Sequence, residues 1–145
     1  MARQKIAPFA LARREGWEAR LAVLIEARRH APFKWGQHDC GLFAADAIEA
    51  VCGVDVAATL RGYHSAVGAA RSLARHGLGD VGDVAVALGL PERQPIDARR
   101  GDVVSFRTEL GVTLGVVLGE RFAAPAEKRL AFYSVLHAAR AWRIG

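Results

Sequence analysis

No apolar run in the sequence is long enough to cross a bilayer as a helix. The longest nearly uncharged stretch, Leu110 to Gly119, is about half of the roughly 20 residues that a span requires, and it reads as a buried strand. The beginning, Met1 to Leu11, carries Arg3 and Lys5 but lacks the apolar core of a secretory signal, so synthesis in a cytoplasm is expected. Like charges never run five or more in a row. The net charge of +5 is spread as pairs such as Arg13 and Arg14, Arg28 and Arg29, and Arg99 and Arg100. That scatter suits a solvated surface and argues against a nucleic-acid face. There is no internal repeat and no low-complexity linker, so one domain over residues 1–145 is expected.

Cysteine is scarce. Only Cys40 and Cys52 are present, and both fall in one helical segment. Twelve residues at about 1.5 Å each hold them roughly 18 Å apart, whereas a disulfide needs Cα atoms within about 7 Å. Two free thiols are therefore expected, with Cys52 a small core residue. The pattern His38-x-Cys40 with a distant Cys52 also lacks the paired close spacings of a zinc site, so neither metal nor cofactor is expected.

Turning to what is present, Trp17, Leu21, Leu24 and Ile25 recur at helical spacing between Glu15 and Arg29, and Pro32 stops that helix. Phe33 to Asp39 is a loop with two aromatics and a glycine. Asp39 is a good N-cap for a helix from Cys40 to Val51, with Phe43, Ala44, Ala47, Ile48 and Val51 inward and Gly53 as the C-terminal cap. Further helices are expected over Ser65 to His76 and Asp80 to Leu88. Beyond these, Gly101 to Phe106, Leu114 to Leu118, Arg121 to Ala124 and Leu130 to Tyr133 are short, rich in Val, Phe and Leu, and separated by turn residues. Helices followed by strands predict an α+β fold, with N-terminal helices packed on a small antiparallel sheet. Gly111, Gly115 and Gly119 lie in this Val-rich region, where sheet packing accounts for them better than helix pairing.

A cysteine in the first turn of a helix faces unpaired amides and the positive end of the helix dipole, both of which favour a thiolate. Around Cys40 stand Trp35-Gly36, then Asp39-Cys40, then Leu42-Phe43. Downstream come Arg100-Gly101-Asp102-Val103-Val104-Ser105-Phe106 and Leu114-Gly115-Val116-Val117-Leu118-Gly119. In this order and spacing the segments resemble the NlpC-type branch of the papain-like cysteine peptidases. The Trp-Gly-x-x-Asp-Cys-x-Leu-Phe form, with Ala141-Trp142-Arg143 near the end, looks most like a branch found in phage and prophage tail modules. The resemblance implies a papain-like NlpC-type fold, Cys40 as nucleophile, and a cleft or interface that includes Trp35, Gly36, Asp39, Thr113 and Trp142. For Trp35 and Trp142 a plain core role is the competing reading.

The chain departs from that family where chemistry is concerned. The position of the family's catalytic histidine, which opens the strand before Leu114, holds Thr113, and threonine is no general base near neutral pH. The third polar position falls near Ala123 or Ala124. His137 and His38 are the candidate substitute bases. His30, His64 and His76 suit helix ends or loops. Two functions follow from the resemblance: a catalytically degenerate domain in a phage tail tip, with other tail proteins as partners, or an active cysteine hydrolase of peptidoglycan or another amide or thioester. A third, a cytoplasmic regulator or nucleic-acid binder, rests on charge alone.

Overall fold

A computed structural model describes residues 6–145, with four α-helices followed by a six-stranded antiparallel sheet. The helices are α1 (Trp17–Arg28), α2 (Cys40–Cys52), α3 (Ala66–Arg75) and α4 (Val81–Ala87). Each lies within a residue or two of the segment its apolar spacing and capping residues predict. The strands are β1 (Glu92–Arg93), β2 (Val103–Thr108), β3 (Gly111–Val117), β4 (Arg121–Pro125), β5 (Leu130–Ser134) and β6 (Arg140–Trp142). Their order in space is β1-β6-β2-β3-β4-β5.

The central hairpin extends further toward its turn than the sequence suggests, because Thr108 pairs with Gly111 and Arg107 with Val112. Two strands, β1 and β6, have no counterpart in the sequence reading. They form by long-range pairing, with Val103 opposite Trp142 and Glu92 also opposite Trp142.

The sheet has two unlike faces, as alternation along its strands requires. One carries Val103, Leu114, Val116, Ala123 and Trp142 and packs against α2, whose Leu42, Phe43, Ala44, Ala47, Ile48 and Val51 are buried with them. The other carries Val104, Phe106, Val117, Phe122 and Ala141. There the rings of Phe106, Phe122 and Tyr133 close on one another, with centroids 4.8–5.3 Å apart.

Helix α2 is thus the central helix of the core, and its capping explains its limits. The Asp39 side chain accepts from Leu42 N at the start, and Gly53 ends it in a left-handed conformation, φ 77°. Cys40 and Cys52 open and close this helix as free thiols, Cys52 being buried.

Candidate functional site

The segment before α2 folds into a tight loop. Lys34 and His38 exchange backbone hydrogen bonds at 2.8 and 3.1 Å, which turns the chain sharply through Trp35 and Gly36. Gly36 has φ 80°, and a side-chain carbon there would overlap the Tyr63 carbonyl oxygen. Only glycine fits that approach. Trp35 is half-buried, its ring edge-on to Phe33 at 4.9 Å.

Asp39 is the hub of the loop. It is 2% exposed. One carboxylate oxygen accepts from Leu42 N at 2.9 Å, and the other accepts from Gly36 N at 3.0 Å and from the Tyr63 hydroxyl at 2.6 Å. A buried carboxylate needs such donors to be tolerated. Burial first, and then the hydrogen bond to Asp39, push the Tyr63 hydroxyl well above its usual titration range.

Cys40 follows directly. Its sulfur is within reach of the backbone amides of Leu114, Gly41 and Cys40 itself, each of which favours a thiolate. Burial works the other way and wins, helped by the Asp39 charge, so the thiol is pushed up to about 11. At neutral pH that leaves about one molecule in 10⁴ as thiolate. The helix terminus alone does not activate this cysteine.

None of the five histidines is a hydrogen-bond partner of the sulfur. His38, two residues away in sequence, is buried and turned toward α1: its Nδ1 lies 3.0 Å from the Arg28 guanidinium and its ring stands edge-on to Phe43. Its Nε2 is buried without a hydrogen-bond partner among the described residues. Burial and then the Arg28 charge hold this imidazole below its ordinary value, so it is neutral at pH 7. Arg28 in turn donates to Asp46, which also accepts from Arg61, itself paired with Asp55. His137 is exposed in a short 3₁₀ turn, Val135–His137, which packs against a second such turn, Pro95–Asp97. His76 uses Nδ1 on the Ser72 carbonyl, and His30 and His64 are exposed.

Thr113 does not point toward Cys40. It stands opposite Phe106 in the β2–β3 hairpin, on the sheet face away from α2, and its hydroxyl lies 2.9 Å from that of Thr108. Trp142 is 1% exposed and packs in the core beside Gly82 of α4, with the Arg140 guanidinium 4.9 Å above its ring. Ala123 and Ala124 are buried in β4. The structure therefore brings together Gly36, Asp39 and Cys40, with Trp35 on the same loop, while the Thr113 side chain takes the other sheet face, His137 lies exposed in its 3₁₀ turn and Trp142 is buried in the core.

Two contributors are not evident in the sequence reading. Tyr63 arrives from a connection 24 residues beyond Asp39, and the Leu114 amide arrives from β3. Neither belongs to a local pattern. Among the described residues no group of histidine, cysteine and carboxylate side chains has the arrangement of a metal site, and no helix is long and apolar enough to cross a membrane.

The architecture and site define an α+β domain whose central helix opens on a desolvated cysteine. Residues 12–144 match the model of the family described as a domain of unknown function, DUF6950, and the chain belongs to that family. No curated protein matches it.

Proposed function

We propose that this chain is a catalytically silent relative of the NlpC-type papain-like cysteine peptidases, kept as a binding or assembly part of a phage or prophage tail tip. It would be made in the host cytoplasm and carried into the virion tail, with other tail-tip proteins as partners. The observation that carries the reading is the environment of Cys40: a helix-opening thiol held neutral by burial, with backbone amides but no imidazole hydrogen-bonded to it. Nucleophilic catalysis by cysteine needs a thiolate or a base that makes one, and neither is supplied here. The tail assignment rests on the motif resemblance around Trp35, Cys40 and Trp142.

The test compares Cys40→Ala with the unaltered protein. Purified protein should release no fragments from peptidoglycan, and tails assembled with Cys40→Ala should form and infect normally. Normal assembly with lost infectivity would assign the thiol to chemistry and favour the other reading, an active cysteine hydrolase acting on peptidoglycan.

A further inference from the structure

A cavity of about 70 Å³, partly open to the surface, lies behind the start of α2, lined by α2, the connection from Val56 to Tyr63, α3, α4 and the inner face of the sheet. Its wall is made chiefly of Leu60, Val84, Ala85, Leu88 and Leu114, and Gly41 and Tyr63 bring it up to the Cys40 end of the helix. The two side chains of this wall that carry hydroxyls are satisfied elsewhere: Ser72 Oγ donates to the Leu60 carbonyl and Tyr63 donates to Asp39. Water entering the cavity would find few partners, and apolar voids of this kind stay dry and accept apolar guests. A space about half that of a void known to hold benzene suits a group of about four carbons.

The electrostatics narrow the guest further. No charged side chain lines the cavity among the described residues, and the Asp39 carboxylate lies beside its Gly41 and Tyr63 edge, so a carboxylate guest would be buried without a partner.

We infer that this cavity is a binding site for an uncharged branched alkyl group of about four carbons, carried either by a free small molecule or by a leucine-like side chain of a bound peptide. The site does not depend on the silent-thiol reading. Hydrolysis by the protein would overturn that reading and leave the cavity assignment standing.

The experiment is a methyl NMR titration of the full chain with isobutanol, isobutyrate and N-acetyl-leucinamide. The methyls of Leu60, Val84 and Leu114 should shift saturably with isobutanol, and isobutyrate should bind at least tenfold more weakly. Tighter binding of N-acetyl-leucinamide than of isobutanol identifies the group as peptide-borne, and the reverse order identifies a free ligand. Ala85→Leu, which fills the cavity, should abolish the response, and Ala45→Val serves the same purpose if the first variant folds poorly. Absence of saturable shifts with both uncharged probes, or an equal response in a folded filled variant, would overturn the assignment.

Discussion

Cys40 is where sequence and environment pull in opposite directions. Its place after Asp39 in the first helical turn is legible in the sequence, and that place favours ionisation. The burial that outweighs it comes from the sheet and from the segment around Tyr63, which no local pattern announces. The consequence is measurable in a Cys52→Ala background, where only one thiol remains. Alkylation of folded Cys40 should show a midpoint near pH 11, compared with about 9 for an ordinary thiol, and near neutrality it should run about 100-fold slower than in the unfolded chain. A midpoint below 8 would mean that an unrecognised cation sits beside the sulfur.

His38 makes a second residue-level statement. Its folded-state affinity for a proton is held below the ordinary value of 6.5, so the unfolded chain binds that proton more readily. Its contribution to stability is therefore complete above about pH 6.5 and declines as pH falls below it. The charges facing it are Arg28 from α1, which opposes protonation, and Asp46 from α2 and the neighbouring Asp39, which favour it. Burial and Arg28 prevail. Urea midpoints should fall between pH 7.5 and pH 5 in the unaltered protein and fall less in His38→Gln.

At the scale of elements, the helices were readable because each carries its own punctuation. Asp39, Ser65 and Asp80 cap three of them with their side chains, and Gly53 closes α2. Strands β1 and β6 were not readable. Two or three residues show no alternation, and what makes them strands is their pairing across 35 to 50 positions of sequence. The resemblance to NlpC-type peptidases puts Thr113 opposite that family's histidine by motif order alone, whereas the sheet face it takes here is set by the hairpin register, with Phe106 opposite Thr113.

The caps are not equivalent. Ser65→Ala removes one exposed cap and should cost about 1 kcal/mol. Asp39→Ala removes a cap and also strands the half-buried Gly36 amide and Tyr63 hydroxyl, and should cost about 2–4 kcal/mol. Tyr63→Phe, which takes away one donor to a charged acceptor, should fall between at about 1.5–3 kcal/mol. Denaturant unfolding of the three variants gives the ranking, and an Asp39→Ala cost as small as that of Ser65→Ala would remove the hub role from Asp39.

At the scale of the whole molecule, Asp102 is the residue that gathers distant parts of the chain. It is 1% exposed and accepts from the Arg13 guanidinium at 3.0 Å, the Arg99 amide at 2.9 Å and the Ile144 amide at 3.1 Å, with Arg93 at 3.7 Å. The Arg100-Gly101-Asp102 segment that contributes to the family resemblance thus has a structural task in this protein, holding the segment before α1 and the segment after β6 against β2. Removing one side of a buried ion pair leaves the other charge uncompensated. Asp102→Ala should lower stability by about 3–5 kcal/mol, whereas loss of the exposed Arg140–Glu92 pair should leave it almost unchanged. Calorimetry on the two variants separates these outcomes.

The void behind α2 has a bearing on how the protein responds to compression. A space of about 70 Å³ per molecule corresponds to at most about 40 mL/mol, and unfolding eliminates such space between packed side chains, so pressure favours the unfolded chain the more of it there is. A few kilobar should then shift the folding equilibrium measurably, and the same pressure applied with isobutanol bound, or to Ala85→Leu, should shift it less, because an occupied molecule has less space to surrender.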